Sequence, residues 1–144
     1  MIDFKQIPAT WALCGNSQCQ LAGECLRHQA YIAVPQSVTR WLCVLPTAIG
    51  DGRCQYYQKA ETVRMARGFS SLFNNLNSRD ARHDIRIALT AYFGSKGAYY
   101  RYKSGQRLLT PAQQQRIMDL LATYQTTDGV AFDEYVDTFD FSTP

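Results

Sequence analysis

No stretch of this chain approaches the roughly 20 consecutive apolar residues of a membrane-spanning helix, so no membrane span and no membrane partner are expected. The opening MIDFKQIPATW lacks the basic and apolar segments of a secretory leader, and a cytoplasmic protein is the expectation. There is no Walker loop, no G-x-S-x-G, no H-E-x-x-H and no glycine-rich dinucleotide loop. Histidine is scarce, with two in 144 residues. Of these, His83 sits among charged residues and is expected at the surface. Cys25 with His28 is the one nucleophile–base pairing at close spacing, and it has no third group in sequence to orient the base. No catalytic residue is therefore assigned, and a binding protein is expected rather than an enzyme.

Charge of one sign is missing from long segments. Between Ile85 and Ile117 there is no Asp or Glu, and after Arg116 there is no Lys or Arg. Residues 64–116 hold ten basic and two acidic groups, while residues 117–144 hold six acidic ones. An electropositive middle beside an acidic tail points to a polyanionic partner for the middle. What is abundant is ordinary for a globular chain: 46% hydrophobic and 19% charged residues. The length fits one domain, or a domain with a small appended module.

The acid-free segment carries clear helix punctuation. Ile85, Ala88, Leu89, Tyr92 and Phe93 fall at i, i+3, i+4, i+7 and i+8, one face of a helix. Gly94 supplies a left-handed stop and Ser95 an N-cap for a short second helix, roughly Lys96 to Ser104, that ends at Gly105. Thr110, Pro111 and Gln113 form an N-cap, N1 proline and capping box for a third helix, with Ile117, Leu120, Leu121 and Tyr124 on its apolar face. The short helix mixes basic and aromatic groups suited to phosphates and base faces. Lys96, Tyr99, Tyr100, Arg101 and Lys103 are predicted to face DNA, with Arg107 on phosphate.

The N-terminal third is organised by cysteine. Cys14, Cys19 and Cys25 are spaced C-x4-C-x5-C, with His28 three residues on and Cys43 and Cys54 later. Clustered cysteines in a reducing compartment suggest metal binding, and an odd total of five does not suit a closed disulfide framework. A structural Zn²⁺ needs four ligands. Cys14, Cys19, Cys25 and Cys54 are the predicted set, with Cys43 or His28 as alternatives for the fourth; an iron–sulfur cluster on the same thiolates is the runner-up. Cys43 lies in the apolar run Trp41–Leu45, where a cysteine ordinarily packs in a core. Trp11 is expected to be buried.

Local patterns set the remaining elements. Val38–Leu45 reads as a strand pairing with Tyr31–Val34, and Gly50–Gly52 as a turn. Lys59–Leu76 reads as a helix with Met65, Phe69, Leu72, Phe73 and Leu76 on one face, ended by Asn74, Asn75 and Asn77. Gln125–Gly129 reads as a linker, and 130–141 as an acidic helix carrying Asp133, Asp137 and Asp140 on a solvated face.

Two resemblances add to this reading. Phe93-Gly94-Ser95, Arg101 through Arg107, Leu109-Thr110-Pro111 and Ile117 resemble the λ-repressor-like helix-turn-helix. The Gly94–Arg101 spacing is slightly shorter than usual, and Gly97 stands where a helix former is the rule. Across most of the chain, Cys14, Asn16, Cys19, Cys25-Leu26-Arg27, Cys54 through Lys59 and Phe93 through Gln114 are similar to a family of small bacterial proteins of unknown function, which implies an architecture and no activity. The expectation is a mainly α fold. A Cys-rich, metal-stapled module with a short β-hairpin (1–57) precedes a helical domain (58–144), which holds a helix-turn-helix over 78–124 and the acidic helix. The expected function is that of a DNA-binding regulator, acting as a homodimer and carrying structural zinc. The alternative is a protein-interaction adaptor in which the helix-turn-helix is only scaffold.

Overall fold

The computed structural model describes residues 2–74, 76, 78–124 and 130–143. The fold is mixed α/β with two small sheets, which corrects the mainly α expectation. Two compact units divide it, Met1–Thr62 with Phe139–Pro144 and Val63–Thr138. No helix among the described residues is long and apolar enough to cross a membrane.

The first unit has an apolar core of its own. Ile7, Trp11, Leu13, Leu26 and Ala30 are buried together, with Phe4, Trp41, Phe139 and Phe141 packed against them. Helix α1 (Leu26–Ile32) places Leu26 and Ala30 one turn apart on its inner face. Its presence removes the expected hairpin, because Tyr31 and Ile32, half of the intended partner segment of Val38–Leu45, are wound into it. What remains is one parallel bridge, in which Leu13 N–H donates to Leu42 O at 2.9 Å and Val44 N–H to Leu13 O at 2.7 Å. Cys43 is consequently exposed and not packed in a core. The unit's hairpin lies later, at β1 (Ile49–Gly50) and β2 (Arg53–Cys54). Asp51 (φ 52°) and Gly52 (φ 74°) make the turn between them. Positive φ at both central residues is what a two-residue hairpin of right-handed twist requires, and Asp-Gly supplies it.

The second unit sets helices against a three-stranded antiparallel sheet. Its central strand is β3 (Val63–Arg67), flanked by β4 (Leu108–Leu109) and β5 (Glu134–Thr138). Two predicted helices are thereby corrected: the segment through 63–67 and the acidic segment through 134–138 are strands paired with each other, Met65 opposite Val136 and Arg64 opposite Asp137. The helical spacing read into Met65, Phe69, Leu72 and Leu76 arises otherwise. Met65 is on the strand, and the chain then turns so that Phe69, Leu72 and Leu76 cover the core. The expected helix end at Asn75 and Asn77 and the linker at 125–129 lie outside the described residues.

Gly68 makes that turn at φ +77°, and a Cβ there would sit 2.6 Å from Asp133 Oδ2. The Asp133 carboxylate accepts from Ser70 N–H at 3.0 Å, and Asp133 N–H donates to Gly68 O at 3.0 Å. Asp133 thus locks the β3 exit to the β5 entry, instead of lining a solvated helix face. Gly68→Ala combines left-handed strain with a clash. It should lower the thermal stability of this unit by about 1–3 kcal/mol, measured by circular-dichroism melting, whereas Gly23→Ala, where a Cβ meets nothing within 4 Å, should leave it nearly unchanged.

The helices follow the expected punctuation. α2 (Arg79–Phe93) is capped by Ser78, buries Ala81, Ile85 and Leu89, and stops at Gly94 (φ 95°). α3 (Lys96–Lys103) follows after Ser95, whose hydroxyl accepts from Ala98 N–H at 3.1 Å. α4 (Pro111–Ala122) carries the Thr110–Gln113 capping box. The sequence from Gly105 to Leu109 does not simply connect α3 to α4, since Leu108 and Leu109 pair with β3.

Candidate functional site

α3 is two turns long and its faces divide sharply. Ala98 and Tyr99 point inward, and Tyr99 is 1% exposed in the core beside Phe69, at 5.8 Å between ring centroids. Lys96, Gly97, Tyr100, Arg101 and Ser104 are exposed and share the opposite face, at i, i+1, i+4, i+5 and i+8. The structure therefore keeps Lys96, Tyr100 and Arg101 of the predicted DNA-facing set at the surface and moves Tyr99 into the core. Burial raises the Tyr99 phenol above its ordinary pKa, so it stays neutral.

Lys103 is half-buried, with Nζ 5.9 Å from the Tyr99 ring. Tyr102 is also half-buried, stacked on Phe93 at 4.3 Å. Arg107 is exposed, with its guanidinium 5.8 Å from the Tyr102 ring and its backbone N–H bonded to Arg101 O. Lys96, Arg101 and Arg107 are thus all exposed, the first two on the same helix face as Tyr100. Gly97 leaves room that the Arg101 guanidinium occupies: a Cβ there would sit 3.7 Å from Arg101 Nη1.

The acidic tail takes up a different set of cations. On β5, Glu134 pairs with Arg67 at 3.2 Å, and Asp137 lies opposite Arg64 in register. The carboxylates answer the arginines of β3, while the acid-free run from Ile85 to Ile117 keeps its positive charge.

A further basic set was not singled out in the sequence. Arg79, Arg82, His83 and Arg86 line one groove along the first two turns of α2. Their spacing at i, i+3, i+4 and i+7 is the signal that marks them, the helical stripe rule applied to charge instead of to apolar residues.

The predicted metal ligands form a separate arrangement in the first unit. Cys14, Cys19, Cys25 and Cys54 line one cavity of about 20 Å³ together with His28 and Arg27, while Cys43 does not. That is room for about one water-sized guest. His28 Nδ1 donates to Cys14 O at 2.9 Å; a carbonyl only accepts, so this nitrogen carries the proton. No three of the His, Cys, Asp and Glu side chains among the described residues are gathered in a way that could hold a metal ion. The four cysteines thus share the lining of one cavity, and among the described residues they are not gathered as a three-ligand cluster.

The dominant group at that cavity is Arg27, 2% exposed. Its Nε donates to Tyr56 O at 2.8 Å, Nη1 to Ala12 O at 2.7 Å and Nη2 to Thr143 O at 3.3 Å, and its guanidinium lies 4.5 Å from the Trp11 ring centre. Burial lowers its pKa from the ordinary value, and the neighbouring Cys25, Cys54 and Cys14 side chains act in the opposite direction. The sequence reading missed Arg27 because a buried arginine has no local signature; it stands in the middle of an unremarkable Cys-Leu-Arg-His.

Comparison with known proteins fixes the family. The model of a family of unknown function (DUF6078) matches residues 1–141. The chain belongs to DUF6078. That membership bears out the resemblance to an uncharacterised family read from the cysteines and the Phe93–Gln114 run. No curated protein and no solved structure matches the chain. The λ-repressor-like resemblance finds no support in these comparisons, and the fold departs from it where Leu108 and Leu109 enter the sheet. DUF6078 brings no described activity, so the functional reading rests on the geometry above.

Proposed function

We propose that this chain binds nucleic acid through the outward face of α3. The observation that carries the reading is the exposure of Lys96, Tyr100 and Arg101 on one helix face, in a segment with no carboxylate. Cations on the same helix face as an aromatic ring suit both components of a nucleic acid. The guanidinium and ammonium meet phosphate oxygens, and the ring offers a stacking plane to a base. Arg107, exposed just beyond the helix, is proposed as a further phosphate contact. DNA is the proposed partner. A homodimer is proposed with it, because an eight-residue helix by itself covers little of a nucleic-acid surface.

Arg101→Ala should weaken binding by about 1–3 kcal/mol if the guanidinium reaches a base edge. Since Arg101 is exposed, folding stability should change by no more than ~0.5 kcal/mol. Anisotropy titration of a labelled oligonucleotide, alongside a thermal melt of the same variant, checks both halves. Unchanged affinity in a folded Arg101→Ala protein counts against the proposal.

A protein-interaction adaptor is the second reading, favoured by one observation in the first unit. Ile32, Leu42 and Leu45 are 65%, 54% and 68% exposed, large apolar side chains left in water.

A further inference from the structure

We infer that the groove on the first two turns of α2 is a phosphate-tracking site, lined by Arg79, Arg82, His83 and Arg86. The inference deepens the nucleic-acid reading of α3 and rests on it. The groove has a volume of about 380 Å³, and the one other residue that lines it is Asp80. The ion pairs among the described residues are Lys59–Glu61 and Arg67–Glu134, so none of the three arginines is ion-paired with a described carboxylate.

Each side chain has a distinct part. Arg82 is anchored, with Nε and Nη2 both donating to Leu76 O at 2.9 and 2.6 Å. Arg86 Nη2 lies 3.2 Å from His83 Nδ1; the guanidinium can only donate, so His83 accepts there and orients it. Arg79 is exposed in the first turn of the helix. From Arg79 to Arg86 the helix rises about 10 Å, seven residues at ~1.5 Å each. That matches three nucleotides of a stacked strand at about 3.4 Å each.

α2 and α3 pack against each other in the same unit. A strand stacked on Tyr100 of α3 is therefore proposed to take its further phosphate contacts from α2. This places the phosphate contacts on one helix and the base contacts on the next, within one compact unit.

The test uses the full chain and the double variant Arg79→Ala/Arg86→Ala, with Arg40→Ala in the first unit as control. Arg82 is left alone because its bonds to Leu76 O are structural. The probes are a labelled single-stranded oligonucleotide, its duplex, and inorganic tripolyphosphate, each titrated across a range of salt. Expected is a salt slope, log affinity against log salt, that falls by about one to two in the double variant and not in Arg40→Ala. The duplex and the single strand then show which form follows the groove.

If the wild-type protein binds oligonucleotide and the double variant keeps its full slope, the groove assignment is overturned while the α3 reading stands. If wild type ignores both oligonucleotides but binds tripolyphosphate, and the double variant does not, the groove stands as a phosphate site and the α3 reading falls. No binding of any probe overturns both.

Discussion

Replacing Arg27 with alanine should destabilise the first unit by on the order of 3–5 kcal/mol, the largest single-site effect expected in that unit. The guanidinium ties together backbone carbonyls from Ala12, Tyr56 and Thr143, which are far apart in sequence, and lies over the Trp11 ring at 4.5 Å. Alanine removes the donors that bridge these part-buried carbonyls and deletes the buried side chain itself, and a lost partner costs about 1–3 kcal/mol where the group stays out of water. It also leaves the volume beside Trp11 empty. Lysine carries the charge without the planar fork, so Arg27→Lys should recover only part of the loss. Both tryptophans, Trp11 and Trp41, lie in this unit, so tryptophan emission during urea unfolding reports it selectively. An Arg27→Ala midpoint equal to wild type would contradict this account of how the unit is held.

Tyr99→Ala should cost the second unit about 3–5 kcal/mol, the range for emptying an aromatic site in a core. Tyr99 packs edge-on to Phe69 in the buried cluster formed by Ile85, Leu89, Leu109 and Ile117. Its neighbour Tyr100 is 43% exposed, and Tyr100→Ala should change stability by no more than ~0.5 kcal/mol. Binding should behave in the opposite way. Tyr100→Ala should lose about 1–3 kcal/mol of oligonucleotide affinity through lost stacking. Far-ultraviolet circular-dichroism melts and binding titrations of the two variants separate the scaffold role from the surface role. A Tyr99→Ala protein as stable as wild type would mean that α3 is not seated as described.

Much of the helical half could be read from the sequence because its signals are local. Ser78 and Ser95 at N-caps, Gly94 at a left-handed stop and Thr110 with Gln113 in a capping box each act within four residues, and all appear in the structure. The strands were not legible for the opposite reason. Val63–Arg67 gains its stability from Glu134–Thr138, some seventy residues away, and periodicity in a short window cannot report a partner at that distance. Met65, Phe69, Leu72 and Leu76 even fall at helical spacing, and it is the positive φ of Gly68 that sends them along a strand and a turn instead.

The same contrast holds at the candidate sites. The acid-free charge run pointed to the α3 surface, but which tyrosine faces water depends on packing, and Tyr99 lies on the inner side. In the first unit, spacing brought Cys14, Cys19, Cys25 and Cys54 to notice, and they do line one cavity. Sequence could not show that the group binding that region together is the Arg27 guanidinium.

The most direct test of the α3 interface is a titration of the wild-type chain and the Lys96→Ala/Arg101→Ala variant against a labelled oligonucleotide at about 50 and 200 mM salt. The interface described here predicts retention at the lower salt, a steep loss of affinity at the higher, and a shallower salt slope with at least roughly tenfold weaker binding in the variant. A wild-type protein that retains no oligonucleotide at the lower salt, or a folded variant indistinguishable from it, would contradict that interface.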